Sequence, residues 1–273
     1  EPAVDGVDLT DSLGALFQAG ALAPGVPLLV GSVREDLAFS FPQPDCKPAA
    51  CAEADFRAAA EKFAKQLAQQ SGYTLDVDAF VAAYDKAEVK LPGGPYTKWY
   101  WAGKHAGADG TMICPARATA TFVSRAGAGA QGTKAQAPAS IGGTSSFLYF
   151  FAHAPGGSSG TYPKLAHHAS EIPFVFHVLQ ANGPNADEYH MHGAAEVELS
   201  AAMATFWRNF ASSGDPNVNA DGGGGAAGLP HWPAYEHAGS DTTMIFGDAP
   251  AAQAGLKRAQ CDLWDAIYGW KSD

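Results

Sequence analysis

The segment Val26-Pro27-Leu28-Leu29-Val30-Gly31-Ser32-Val33-Arg34-Glu35-Asp36 reads as a buried β-strand that runs into an acidic loop. Residues 26–31 carry no polar alternation and end at Gly31. That is the pattern of a strand covered on both faces in a parallel sheet, since a strand wetted on one face alternates. Glu35 and Asp36 follow at once, just beyond the carboxyl end of the strand, where open α/β sheets place function. The spacing alone equally fits an ordinary solvated loop.

Working outward, residues 146–152 (Ser-Phe-Leu-Tyr-Phe-Phe-Ala) form a second continuous apolar run, and 243–246 a shorter third. Helices are predicted between them. The 52–70 segment places Phe56, Ala60, Phe63 and Leu67 at intervals of three or four and stops at Ser71-Gly72. The 198–212 segment puts Leu199, Met203, Phe206, Trp207 and Phe210 on one face and ends at Gly214-Asp215-Pro216-Asn217. Further helices are predicted at 12–18, 77–88, 113–125 (with Pro115 in the first turn) and 256–268. Residues 172–179 are short and apolar. The Pro- and Cys-rich stretch 42–52, the Gly- and Ala-rich stretch 127–143, the turn 156–160 and the Gly-rich stretch 221–228 read as loops and linkers. Strands and helices alternate, so the class is α/β. Two or three central strands are few for 273 residues, and a parallel sheet does not tolerate raw edges. The expectation is half a sheet, completed by another chain or by a missing N-terminal half, with residues 1–273 forming the C-terminal part of one domain.

Seventeen Lys and Arg stand against 28 Asp and Glu, a net charge of −11. This argues against binding to nucleic acid or to an anionic membrane surface. No apolar run approaches the ~18 residues that span a bilayer. Residue 1 is Glu, and no leader-like segment precedes the first element. The expectation is that a leader was removed or that the chain begins inside a longer precursor. Cysteines stand at 46, 51, 114 and 261, with no Cys-x-x-Cys spacing to suggest a zinc ribbon or a redox motif. Cys46 and Cys51 flank a four-residue loop they could close, leaving Cys114 and Cys261 to pair; four buried thiols are the alternative. Disulfides would imply an oxidising compartment.

Three further motifs bear on chemistry. His167-His168-Ala169-Ser170-Glu171 puts two histidines on a loop, and a catalytic imidazole needs a carboxylate to fix its tautomer. A surface or core histidine pair is the plainer reading. His190-Met191-His192 would present both rings on one face of a strand, but no third ligand stands nearby, so no metal is expected. Gly156-Gly157-Ser158-Ser159-Gly160 matches Gly-x-Ser-x-Gly as a string. It lacks the strand before and the helix after that a nucleophile elbow requires, and Ser158 falls after the candidate acid.

Taken in order, the segments 2–7, 26–31, the acidic loop, Ile113-Cys114-Pro115-Ala116-Arg117, 147–153, 167–176, 206–217, 229–235 and Cys261-Asp262-Leu263-Trp264-Asp265 resemble the C-terminal half of a type-B carboxylesterase, the cholinesterase and fungal-lipase family. The resemblance runs from residue 2 to about residue 265. It implies an α/β-hydrolase fold, a catalytic His at His168 and a catalytic acid at Asp36, with Glu35 as the alternative acid, and a long-range disulfide between Cys114 and Cys261. Ala169 stands where the family has Gly, and Leu37 where a second Gly is expected. The family's nucleophile elbow and oxyanion loop lie upstream of the matched region. The chain thus resembles the C-terminal chain of a secreted serine carboxylesterase, not active alone. Its implied partner is an N-terminal chain of the same precursor bearing Gly-x-Ser-x-Gly, its substrate a small ester or lipid, and it needs no cofactor. A non-catalytic adhesion or structural subunit of the same family is the alternative.

Residues 1–273 expressed alone should be insoluble or molten, because the apolar strand at 26–31 calls for neighbours on both sides. A monomeric, sharply cooperative thermal transition of that chain would contradict this.

Overall fold

The computed structural model describes residues 4–23, 25–36, 41–85, 96–130, 145–156, 165–180, 191–219, 228–236 and 239–270, the side chains of 127–130 excepted. Its centre is a four-stranded mixed sheet in the order β1-β2-β3-β4. β1 (Leu28–Val33), β2 (Ser146–Phe151) and β3 (Thr242–Phe246) are parallel, and β4 (Pro250–Ala254) closes one edge antiparallel. β1 and β2 pair from Leu28↔Ser146 to Val33↔Phe151.

Both faces are covered, which explains the unbroken apolar run of β2. Phe147 and Phe151 point to one side, where they pack with Met244 and Phe246 of β3, with Trp232, and with Leu199, Met203 and Phe206 of α7 (Ala194–Ser213). Leu148 points to the other, against Ala116 and Ala120 of α5 (Cys114–Ala130) and Tyr235. Phe150 on that side meets Ala108 and Ile113. Each large side chain buried this way contributes on the order of 1.5–3 kcal/mol.

Beside the sheet, Phe56 and Phe63 of α2 (Glu53–Ser71), Phe80 and Tyr84 of α3 (Val77–Asp85), Trp264 of α8 (Arg258–Ile267) and Phe41 form a second, mostly aromatic core. The Cys114–Cys261 disulfide ties α5 to α8, and Cys46–Cys51 closes the loop ahead of α2. The long bridge, with a sequence separation of 147, constrains the unfolded chain by on the order of 5 kcal/mol in the chain-entropy picture. Arg117, almost fully buried, reinforces it by pairing with Asp241, Asp262 and Asp265.

Some elements differ from expectation. The sequence suggested no helix at α4 (Lys98–Ala108), which runs through a π-helical turn, Asp109–Ile113, straight into α5. Gly103 and Gly107 and the aromatics blur its periodicity. Two of the glycines are there for contact: a Cβ on Gly103 would lie 2.4 Å from Pro44, and one on Gly110 2.6 Å from Trp264. β4 was likewise unanticipated; its Ala- and Gln-rich residues are exposed and begin with Pro, as suits an edge. α7 starts at Ala194 rather than 198, following Gly193 at φ 85°. α1 (Leu13–Gln18) and the one-turn α6 (Ile172–Val175) fall where the sequence put helical or short apolar segments. Residues 157–160 of the Gly-x-Ser-x-Gly string that starts at Gly156, together with His190, Leu37 and most of 127–143, lie outside the described residues.

Gly31 is required by packing rather than by its backbone angles. A Cβ there would lie 2.3 Å from the Tyr149 ring and 2.4 Å from the Tyr149 carbonyl oxygen on the paired strand. Gly31→Ala should therefore destabilise the assembled protein by about 3 kcal/mol, read as a lowered midpoint in denaturant, because the backbone oxygen cannot step aside. An unchanged midpoint would contradict the close β1–β2 approach.

Candidate active site

The carboxyl ends of the parallel strands carry the candidate residues. After β1 the chain turns, and Asp36 falls three residues past Val33. The loop that carries His167 and His168 comes alongside through a parallel bridge, Glu35↔His167. This brings together residues 132 positions apart: His168 Nδ1 lies 2.7 Å from Asp36 Oδ1. A carboxylate only accepts, so Nδ1 bears the proton of this bond, and Nε2 is left as the basic nitrogen. The burial is asymmetric. The Asp36 side chain is 4% exposed and the His168 ring 53%. A carboxylate fixed in the interior thus holds a ring that opens outward. The Val33 N–H donates to Asp36 Oδ2 at 3.5 Å and helps hold the carboxylate in place.

Glu35, the alternative acid, turns the other way. Its Oε1 accepts from Arg34 Nε at 2.5 Å, and its Oε2 from the Ala166 N–H at 2.7 Å. The His105 ring stands beside it, with Nε2 3.9 Å from Oε1. Burial holds His105 well below the usual imidazole range, and the Lys257 and Arg34 charges push it the same way. His167 makes a local contact, its Nδ1 3.0 Å from the His168 carbonyl oxygen.

The histidine loop is a tight turn in which the Ser170 N–H donates to the His167 carbonyl and the Ile172 N–H to that of Ala169. Ala169 adopts φ 67°, in the left-handed region that favours glycine. Glu171 lies partly buried at its end. Burial pushes the Glu171 carboxyl upward; the Asp36 charge adds to the rise and the two histidines oppose it. Burial raises the Tyr149 phenol too, with the Glu171 and Asp36 charges contributing. Tyr149, in register with Gly31, and Glu171 thus share the electrostatic surroundings of Asp36. Glu171 was visible in the sequence within the His-x-x-Glu stretch; nothing there marked Tyr149.

Two further histidines have acceptor partners. His153 Nε2 lies 3.0 Å from Glu196 Oε1, which also accepts from the Gly156 N–H, while Glu196 Oε2 accepts from the His192 N–H. Glu196 so ties the exit of β2 to the start of α7, and His192 lies in the coil ahead of α7, not on a strand. His177 Nδ1 lies 2.9 Å from Ser200 Oγ, but that hydroxyl is fully buried and donates to the Phe174 carbonyl, so it is no reachable nucleophile. Cys46, Cys51 and Asp55 cluster at ligand-like spacing, with both sulfurs consumed in the disulfide.

Residues 1–264 match the Carboxylesterase family. Among curated proteins the chain is similar to liver carboxylesterase of Sus scrofa, 36% identical over 127 residues, which is 46% of this chain and 19% of that protein. It is also similar to carboxylesterase 5A of Felis catus, 38% identical over 122 residues, which is 43% of this chain and 20% of the relative. A third relative, from Anas platyrhynchos, is named as a medium-chain fatty acyl-CoA hydrolase precursor and is 34% identical over 120 residues, 43% of this chain and 18% of its own. The matches thus take in only about a fifth of each relative's length. A thermophilic PNB esterase superposes with a TM-score of 0.58 at 20% identity, covering 97% of this chain and 43% of the other. The fold is that of the α/β-hydrolases.

A left-handed conformation costs a residue with a Cβ about 1–2 kcal/mol, partly offset by the entropy a glycine loses on folding. Ala169→Gly should therefore raise the stability of the assembled protein by about 0.5–1 kcal/mol, seen as a later denaturation midpoint. A loss of that size would contradict the left-handed turn.

Proposed function

Because the chain belongs to the carboxylesterase family, we propose that Asp36 and His168 are the acid and the base of a serine-esterase triad whose Ser and oxyanion hole are carried by an N-terminal chain of the same precursor. The observation that carries this reading is the 2.7 Å contact between a buried carboxylate and a half-open imidazole at the strand ends. The order acid-then-His agrees with that of α/β-hydrolases.

The division of labour follows from the geometry. Asp36 holds the Nδ1–H tautomer, so Nε2 can take the proton of an approaching Ser hydroxyl as its oxygen bonds to the ester carbonyl carbon. The buried carboxylate stabilises the imidazolium that results. Nε2 then returns the proton to the departing alkoxide as the C–O bond breaks, leaving an acyl-enzyme. Water, activated by the same nitrogen, hydrolyses it. The oxyanion must be met by N–H donors from the other chain. Glu35 is the less suitable acid, because both its oxygens are engaged by Arg34 and Ala166.

The substrate class is a small ester or lipid, a reading supported by the carboxylesterases and the acyl-CoA hydrolase among the relatives. The two disulfides support an oxidising, secretory-pathway location.

Hydrolysis of a small chromogenic ester by the assembled protein tests the triad. His168→Ala should abolish turnover, and Asp36→Asn should cost on the order of 10⁴ in kcat through the wrong tautomer. Wild-type turnover in His168→Ala would overturn the assignment.

A further inference from the structure

We infer that Glu35 is a positioning residue, a clamp that holds the histidine loop at the distance from β1 which the Asp36–His168 hydrogen bond requires; this rests on the esterase reading above. Glu35 engages both polar groups of one residue. Its backbone N–H donates to the Ala166 carbonyl at 3.0 Å, and its carboxylate Oε2 accepts from the Ala166 N–H at 2.7 Å. Ala166 is fully buried, so no water competes for either group.

The two ends of this closed ring sit beside the two members of the pair. Asp36 is the next residue after Glu35, and His168 is two residues beyond Ala166. The clamp therefore fixes both backbones within two residues of the reacting groups. The carboxylate itself is immobilised, with its side chain 6% exposed and Oε1 held by Arg34 Nε at 2.5 Å. The backbone bridge between Glu35 and His167 aligns the two segments, and the side-chain bond adds a hold on the Ala166 N–H, the second polar group of that residue. The residue acts through reach: its second oxygen must span to the Ala166 N–H.

Reach and charge are separable by two substitutions. Glu35→Asp keeps the charge and shortens the arm by one C–C bond, about 1.5 Å. Glu35→Gln keeps the length and one acceptor oxygen, which can still meet the Ala166 N–H, while it removes the charge and replaces the oxygen that accepts from Arg34 Nε by an NH2 group. In the purified assembly the first readout is the low-field proton resonance of His168 Nδ1–H, which reports the bond to Asp36 without any turnover. The second is ester hydrolysis.

Glu35→Asp should broaden or abolish that resonance and lower kcat on the order of 10²-fold with KM within about twofold, the cost of a small misplacement of a catalytic group. Glu35→Gln should keep the resonance and most of kcat. A Glu35→Asp protein with the wild-type resonance overturns the clamp, as does the reverse pattern in which Gln fails and Asp does not. A wild-type protein that shows the resonance but hydrolyses no ester fails the esterase reading instead, and the resonances of the two variants still decide the clamp.

Discussion

The parallel register of β1 on β2 is the constraint on which the rest depends. It sets Gly31 against Tyr149, where nothing larger than hydrogen fits, and it carries β1 far enough for Glu35 to bridge to His167. A slip of one residue would drive a Cβ into Tyr149 and turn every side chain of the strand to the other face. It would also shift Asp36 by about 3.3 Å along the strand, beyond hydrogen-bond reach of His168. The chemistry of the loops is thus referenced to a ladder in the sheet.

Around that ladder the energetics divide between two cores. Aromatic and aliphatic side chains from β2, β3 and α7 fill one face of the sheet, while α2, α3 and α8 build a separate aromatic cluster, stapled to α5 by Cys114–Cys261 and by Arg117 with its aspartates. Neither core contributes a reacting group. They make rigid the strand ends from which Asp36 and the histidine loop depart, so that short loops suffice to place a buried acid against an open base. The one strained residue of the histidine turn, Ala169, lies next to His168, where a precise ring position has most to gain from a tight bend.

Much of this was legible in the chain itself. The continuous run at 146–152 became a parallel strand covered on both faces, the run at 26–31 became the half-buried parallel strand β1 two residues later, at Leu28–Val33, with Val26 exposed before it, and the helices of α2 and α7 followed from clean apolar spacing. Asp36 and His168 emerged only through the family resemblance, since an acid and a histidine 132 residues apart carry no mark of contact. α4 was hidden because Gly103 and the π-turn glycine Gly110 serve close packing against Pro44 and Trp264, and so weaken the local helical signal. β4 was hidden because an exposed edge strand of Ala and Gln has no apolar face to read. Which of Glu35 and Asp36 meets the His168 ring depends on loop direction, which sequence spacing does not encode: the Glu35 carboxylate faces Ala166 and that of Asp36 faces the imidazole.

The central claim is that this acid–base pair serves a nucleophile from outside residues 1–273. Labelling the purified assembly with a fluorophosphonate, followed by peptide mapping, tests it most directly. The account predicts one stoichiometric adduct, on a Ser within Gly-x-Ser-x-Gly in a chain other than this one, and no labelling when His168 is replaced by Ala. The absence of any adduct on the wild-type assembly, or an adduct on a serine of residues 1–273, would contradict it.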